Sequence, residues 1–257
     1  YNRTPFFISP IEQVEADLRE AASYFPDLDR IYLLNGDPFV LSTEKLVEVA
    51  NLINHYLPNM KTITTYASFY NLKNKSAEDL KKLKALGYNE LYIGVETAYE
   101  PALSYINKGC NLDEYYEGLG KLKEAGIDYH AILMLGIAGA GNSIENAKAT
   151  AKFLNFYPPK SVFPMTTDVQ AGSLLYQMRE DGDFKEATIR EGLCEQITLV
   201  ENLDMPDDTL FSSGHAVNLF SISHRFKNKD LILKKLHYAL ENTRDEILDS
   251  TNFRHAG

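Results

Sequence analysis

Short apolar runs alternate with amphipathic stretches along most of this chain. The runs are rich in β-branched and aromatic residues, which predicts strands, and they cover residues 29–34, 61–66, 90–96, 128–135 and 161–166. Between them, apolar residues recur at the spacing of one helix face. The predicted helices cover residues 11–22, 42–53, 76–86, 113–125, 143–154, 185–202 and 229–248. This alternation indicates parallel strands joined by helical crossovers.

Capping residues support several of these boundaries. Ser9-Pro10 is typical of an N-cap followed by the first helical position, and Ser42 and Ser76 are further predicted N-caps. Gly87 and Gly126 follow predicted helices at the position where a left-handed residue ends a helix. Local signals and periodicity therefore agree.

The order of elements predicts an α/β fold in which a helix is followed by five strand–helix repeats. The chain opens at Tyr1 without an initiator Met, so we expect residues to precede it, and one strand there would give a partial (βα)6 barrel. A doubly wound open sheet is the alternative. Because regularity falls off near residue 205, we predict a barrel domain at 1–204 and a small helical C-terminal extension at 205–257 that closes the barrel side.

Composition and charge narrow the possible functions. The chain has 257 residues, a net charge of −10 and a pI near 5.1, which argues against a general nucleic-acid footprint. It shows no apolar run of membrane-spanning length, and the sequence at Tyr1 does not look like a signal peptide. Cys110 and Cys194 lie far apart, which predicts neither a disulfide framework nor a metal-ligand pair. These features predict a cytoplasmic protein without a membrane partner.

Candidate chemistry is concentrated where predicted strands end. Asn35-Gly36-Asp37-Pro38 could present carbonyls and a carboxylate to an amino group, although such a sequence is also common in plain turns. Glu96 could accept hydrogen bonds from two ribose hydroxyls, or could simply favour the start of the next helix. Ser68 and Lys108 are possible polar contacts.

Other polar and glycine-rich segments are less informative. Gly136 to Gly141 could admit a flat ring but lacks the spacing of a dinucleotide fingerprint or a P-loop. His130 lies inside a predicted strand and is expected to be a core histidine with its hydrogen bonds satisfied. His215 and His224 have no carboxylate pattern near them, so a metal site there is not expected.

In this order the segments resemble the radical S-adenosylmethionine (radical SAM) superfamily, on the branch of oxygen-independent coproporphyrinogen oxidase and the Elongator catalytic subunit. The resemblance covers about residues 1–170. It carries over to Asn35-Gly36-Asp37-Pro38 (similar to the Gly-Gly-Glu-Pro turn), Ile93 to Thr97 (ribose motif), Ile106 to Gly109 and Leu122 to Ile127 (one helix), and Leu133 to Gly139 (adenine segment). Ala140 stands where a glutamate often follows that segment.

The resemblance implies roles for these residues. Asn35, Gly36, Asp37 and Pro38 would hold the amino group of S-adenosylmethionine, Ser68 and Lys108 would lie near its carboxylate, Glu96 would hold the ribose, and Met134 and Gly136 would lie beside adenine. A 4Fe–4S cluster would help cleave this cofactor to a radical that abstracts hydrogen from a substrate. Flavodoxin or ferredoxin would supply electrons. Thr166, Thr167, Gln170 and His215 are candidate contacts to an unknown small-molecule or peptide substrate.

One departure from the family pattern matters. The family's Cys-x3-Cys-x2-Cys motif, whose thiolates bind the cluster, is absent, and we expect it upstream of Tyr1. The alternative is a cluster-free barrel that binds S-adenosylmethionine or another nucleoside. An ordinary β/α barrel enzyme, such as an aldolase or hydrolase, ranks last because no strand-end Lys is placed for a Schiff base.

Overall fold

The computed structural model describes residues 5–251 as an α/β fold. The strands are β1 (Arg30–Leu33), β2 (Thr62–Ala67), β3 (Tyr88–Glu96), β4 (Asp128–Leu135), β5 (Ser161–Thr166), β6 (Leu210–Ser212) and β7 (Ser223–Arg225). The helices are α1 (Ile11–Tyr24), α2 (Thr43–Tyr56), α3 (Phe69–Lys73), α4 (Ala77–Ala85), α5 (Glu100–Tyr105), α6 (Leu112–Ala125), α7 (Ser143–Phe156), α8 (Leu174–Asp181), α9 (Ile189–Asn202), α10 (Lys229–Asn242) and α11 (Asp245–Leu248). Pro38–Val40 and Phe226–Asn228 form short 3₁₀ turns.

The strands form one seven-stranded sheet in which they lie side by side in chain order. β1 to β6 pair in parallel and β7 pairs antiparallel with β6. The sheet does not close, because β1 and β7 are its two edges. This arrangement confirms the α/β class and is consistent with a partial barrel that ends in helices.

Several predicted boundaries follow from side-chain caps. Ser42 Oγ accepts a hydrogen bond from the Lys45 amide, and Ser76 and Asp79 form a reciprocal capping box at the start of α4. Gly126 has a φ of 68° and ends α6, as predicted. At α1, however, Pro10 occupies the N-cap position itself, and Ile11 is the first helical residue.

Other elements differ from the sequence prediction. The prediction missed β6, β7, α3, α5 and α8, each of which has at most eight residues and hence little periodic signal. The helix predicted at 185–202 begins only at Ile189, because Thr188 and Glu191 form a capping box there. The helix predicted at 229–248 is interrupted at Thr243, whose extended backbone separates α10 from α11.

The two faces of the sheet have different environments. Leu91, Ile93, Val95, Ala131 and Leu133 are almost fully buried on the face that the helices cover. The alternate residues of β3 and β4 lie on the opposite face and are mostly half-buried. We call this opposite face, which carries Tyr92, Gly94, Glu96, Ile132 and Met134, the open face.

Five aromatic rings from adjacent strands pack together on the open face: Tyr32, Tyr66, Tyr92, His130 and Phe163. Tyr92 stacks on His130 with the ring centroids 4.2 Å apart and on Tyr32 at 5.0 Å. His130 Nε2 lies 3.1 Å from Glu90, but its buried Nδ1 has no hydrogen-bond partner within the described residues. The expectation of a fully satisfied core histidine is therefore wrong for one of its two nitrogens.

The C-terminal elements share the core of the barrel strands. Phe211, Ile232, Leu236 and Leu248 belong to the same buried cluster as the residues of β3 and β4. Helix α10 packs on α9, and Arg190 of α9 forms ion pairs with Asp245 and Asp249 beyond it. Within residues 5–251, no helix combines the length and the apolar composition needed to cross a membrane.

Candidate functional site

The carboxyl ends of the parallel strands bring most of the predicted site segments to one edge of the sheet. Asp37 follows β1, Ser68 follows β2, Glu96 ends β3 and Gly136 follows β4. Thr166 ends β5 and Thr167 follows it. In β/α barrels this edge is where ligands bind, because the loops that converge there have polar groups to offer.

The turn after β1 is held by its own carboxylate. Asp37 Oδ1 accepts a hydrogen bond from the Phe39 amide at 3.0 Å, and Oδ2 accepts one from Asn71 Nδ2 at 2.6 Å. Buried Lys75 donates to the carbonyls of Phe39 and Leu41 at 3.0 and 2.8 Å. Burial raises the pKa of Asp37 above its usual value, against the opposing effect of the hydrogen bond from Asn71. Asp37 therefore stabilises the turn through its hydrogen bonds and also places a carboxylate there.

Ser68 has a structural contact in addition to any ligand role. Its hydroxyl accepts a hydrogen bond from the Asn71 amide at 3.3 Å and caps the short helix α3. Asn71 thereby connects Ser68 to Asp37, and the ends of β1 and β2 are tied together. Sequence reasoning did not select Asn71 or Lys75, since neither lies at a strand end.

Glu96 ends β3 in an unusual conformation. Its φ is 60°, and the pairing of β3 with β4 shifts register between Gly94 and Glu96. The Glu96 carboxylate lies 2.6 Å from Lys108 Nζ in a partly buried ion pair. Gly94 makes room for this pair, because a Cβ there would lie 2.5 Å from Glu96 Oε1.

Positive φ values outside glycine coincide with the predicted cofactor segments. Within residues 5–251 the non-glycine residues with positive φ are Asn35, Glu96 and Asn107, which precedes Lys108. Asparagine adopts this conformation readily, whereas glutamate does so at a cost. Backbone strain of this kind clusters at functional sites, where the surrounding structure maintains it.

The end of β4 is anchored from the helix side. Met134 is half-buried on the open face, while the amide of Gly136, at a φ of 75°, donates to Glu195 Oε2 at 2.9 Å. Glu195 lies on α9 and is 2% exposed. Burial raises its pKa to about 7, although hydrogen bonds from Gly136 and Asn146 act in the opposite direction. Sequence reasoning missed Glu195, whose only signal is an acid one helical turn from the apolar Leu199.

A small cavity lies beside the ends of β4 and β5. Its volume is about 40 Å³, and Gly136, Thr166, Thr167, Gln196 and Asn218 contribute to its lining. Within the described residues, Thr167 Oγ1 and Gln196 Oε1 are buried without a hydrogen-bond partner. The structure thus brings Gly136 together with two of the predicted substrate residues.

Asn218 fixes the wall of this cavity. Its Oδ1 accepts from the amide and the hydroxyl of Thr166 at 2.8 and 2.9 Å, and its Nδ2 donates to the carbonyls of Pro164 and Ser213 at 2.8 Å each. The other two predicted substrate residues do not line it. Gln170 is exposed beside Asp168, and exposed His215 accepts a hydrogen bond from the Val217 amide at 3.3 Å.

Metal ligands are not assembled in this part of the chain. Within residues 5–251 no three His, Cys, Asp or Glu side chains are grouped so that they could hold a metal ion. Cys110 and Cys194 are both free and partly buried.

Comparison with known proteins identifies the family. Residues 1–154 match the family model described as the radical SAM superfamily, which is more than half of the chain. The chain belongs to the radical SAM superfamily. Membership implies the radical SAM enzyme class and, as cofactors of the family, S-adenosylmethionine and a 4Fe–4S cluster.

One curated relative and two solved structures are similar to this chain. The heme chaperone HemW of Bacillus subtilis (strain 168) is 31% identical over 115 residues, which are 44% of this chain and 30% of HemW. Archaeal Elp3 of Methanocaldococcus infernus, with residues 1–46 deleted, has a TM-score of 0.59 at 18% identity over 88% of this chain and 58% of Elp3. Coproporphyrinogen III oxidase (HemN) of Escherichia coli has a TM-score of 0.56 at 14% identity over 74% of this chain and 43% of HemN.

These comparisons differ in what they support. The two solved structures are so distant in sequence that they show the fold alone. This chain also spans less than two thirds of the length of each of the three proteins. The activities of the whole proteins therefore do not transfer directly to it.

Proposed function

We propose that the strand-end site binds S-adenosylmethionine and that this chain forms the cofactor-binding part of a radical SAM enzyme. The observation that carries the proposal is Glu96, a carboxylate at the carboxyl end of β3 that keeps a positive φ. A strained acid on the open face, with a glycine two residues earlier making room for it, suits a site selected for binding rather than for stability.

The residues present fit this cofactor. Within the described residues only one carboxylate oxygen of Glu96 has a hydrogen-bond partner, namely Lys108, so the other can accept from ribose hydroxyls. The turn at Asn35 to Pro38 offers backbone carbonyls and Asp37 to the amino group, while Lys108 and Ser68 can meet the carboxylate group. Met134 and the backbone at Gly136 provide a surface for adenine.

The residues of this chain do not fit the cluster. The sequence contains two cysteines and no Cys-x3-Cys-x2-Cys motif, and the described residues hold no metal-ligand group. If S-adenosylmethionine and a reduced cluster were both bound, the pair would supply the radical chemistry that removes hydrogen from a substrate. The contribution proposed for these residues is limited to binding and orienting S-adenosylmethionine and excluding water.

The substrate site is a separate proposal. Thr166 and Thr167 lie beside the proposed adenine segment, so they remain candidates for contacts to an unknown small molecule or peptide. Gln170 and His215 stay candidates only if the substrate extends along the exposed loops. A flavodoxin or ferredoxin would be the electron donor.

We keep a cluster-free function as the second candidate. A cluster-free barrel could bind S-adenosylmethionine or a nucleoside without radical chemistry. The two are separated by the iron and sulfide content of the native gene product purified without oxygen, together with electron paramagnetic resonance. About four irons per chain and a spectrum that changes with S-adenosylmethionine would support the enzyme, whereas an iron-free native protein that still binds the cofactor would support the second function.

A further inference from the structure

A buried network of hydrogen-bonded polar side chains joins the ends of β3 and β4. Glu195 Oε2 accepts from the Gly136 amide at 2.9 Å, and its Oε1 accepts from Asn146 Nδ2 at 2.6 Å. Asn146 Oδ1 in turn accepts from the hydroxyl of Thr97, and this hydroxyl also accepts from the Tyr99 amide at 2.9 Å. None of the three side chains is more than 2% exposed.

The two ends of this network lie next to two residues that are predicted to contact the same ligand. Thr97 directly follows Glu96, and Gly136 lies two residues after Met134. The connection runs through α7 and α9, on the face of the sheet opposite to the open face. It can therefore affect a ligand on the open face only through the backbone at the two strand ends.

A buried polar network that includes a carboxylate is an unfavourable choice for a core whose only requirement is stability. A buried carboxylate loses its hydration, and well-packed apolar side chains often stabilise a protein at least as well. Here every named donor and acceptor is matched, so that the network specifies one arrangement of the two strand ends. Gly136 has a positive φ, and in this conformation its amide donates to Glu195.

We propose that Glu195 is a positioning residue that, through Asn146 and Thr97, sets the ends of β3 and β4 so that Glu96 and Met134 meet one S-adenosylmethionine molecule. The inference rests on the proposed function, because it assumes that this cofactor occupies the open face. Glu195 itself does not touch the ligand.

The test uses matched variants of the native, full-length protein. In Glu195→Gln, the NH2 group of the introduced glutamine faces the NH2 group of Asn146. The Asn146 amide must rotate by half a turn to accept from it, and Asn146 then donates to Thr97 instead of accepting from it. Asn146→Asp alone places two carboxylates together. In the double variant the introduced glutamine still accepts from Gly136 and donates to the introduced aspartate. Thr97 donates to the same aspartate, so the original hydrogen-bonded arrangement returns.

We expect each single variant to raise the dissociation constant for S-adenosylmethionine about tenfold, which is the effect of one misplaced hydrogen bond. The double variant should return to within about threefold of wild type by isothermal titration calorimetry. Tyr88→Phe is the control for a purely structural loss, since its hydroxyl donates to the Leu46 carbonyl at 2.9 Å inside the core. It should lower stability and leave the dissociation constant unchanged.

The possible results separate the inference from the proposed function. Wild-type affinity in folded Glu195→Gln protein, together with weak binding by Glu96→Gln, would overturn the positioning role and leave the cofactor site intact. Loss of binding in the double variant equal to that of the singles would also overturn it. If wild-type protein loaded with its cluster does not bind S-adenosylmethionine, the proposed function fails and the inference fails with it.

Discussion

Glu96 combines a strained backbone conformation with the role of ribose acceptor proposed above. Glu96 adopts a φ of 60°, which costs a non-glycine residue about 1–2 kcal/mol. The ion pair with Lys108 offsets part of this strain energy, because both side chains are only partly exposed and solvent screens their attraction less. The remainder is explained if the carboxylate is needed at this point of the open face.

Glu96→Gly tests this balance directly. Glycine adopts positive φ without penalty, so we expect the free energy of unfolding to stay the same or rise by up to about 1 kcal/mol. Affinity for S-adenosylmethionine should fall at least tenfold, since the proposed ribose acceptor is gone. Urea unfolding and calorimetric titration measure the two quantities on the same preparation.

Glu96→Gln is the matched control, because it keeps the side-chain length and the strain but removes the charge. It should be less stable than Glu96→Gly. Wild-type affinity in Glu96→Gly protein would show that the strained residue has no role in binding.

At the scale of elements, helix α9 brings a titratable group into the core. Glu195 has a pKa of about 7 instead of the usual 4.5, mainly because it is buried. The folded state then binds its proton more tightly than the unfolded state does. The contribution of this proton to the free energy of unfolding is fully present below pH 4.5 and is lost as the pH rises through 7. The difference amounts to about 3 kcal/mol, at 1.36 kcal/mol for each pH unit.

His130 of β4 acts in the opposite direction. Burial, with a smaller effect of Arg30, lowers the pKa of His130 from 6.5 to about 4. The unfolded state binds this proton more tightly, so its contribution to stability is present above pH 6.5 and is lost as the pH falls toward 4. In the wild-type protein the two groups therefore offset each other between pH 5 and pH 7.

Replacing Glu195 should make the pH dependence of stability that His130 contributes measurable. We expect Glu195→Gln to become less stable by about 2 kcal/mol between pH 7.5 and pH 5, because only His130 then titrates strongly in this window. His130→Phe, which keeps a ring beside Tyr92, should show the reverse slope. Urea unfolding at the two pH values measures both, and parallel slopes for the two variants would contradict the assignment.

For the whole molecule, the question is whether the segment after residue 204 folds apart from the barrel. A boundary at 204 remains a prediction from the sequence. In the structure, β6 and β7 continue the main sheet, and Phe211, Ile232 and Leu236 lie in the common core. Removing this segment would expose the β5 edge and the face of α9 that α10 covers.

We therefore expect a chain that ends at residue 204 to aggregate or to lose its cooperative thermal transition. A chain that ends at Asn242 is the control, since it keeps β6, β7 and α10 and loses only α11 and its flanking residues. It should fold with a lower melting temperature, because buried Leu248 and the ion pairs of Arg190 are removed. Circular dichroism melts of both chains give the answer, and a cooperative transition in the shorter one would establish an independent domain.

The sequence by itself determined the parts of this protein that depend on local order. Apolar runs and caps located β1 to β5 and most long helices, because burial and periodicity act on neighbouring residues. The alternation of strands and helices implied a parallel sheet, and parallel strands necessarily bring Asp37, Ser68, Glu96 and Gly136 to one edge.

Only the tertiary structure decided the features that distant residues create together. The short strands β6 and β7 exist because β5 offers an edge to pair with, so three residues gave no signal of their own. Glu195 and Asn71 belong to the candidate site because helices place them beside Gly136 and Asp37, which lie 59 and 34 residues away in the chain. Hydrogen bonds over such separations leave no periodic pattern, and the sequence could not show which polar residue would be buried beside which backbone amide.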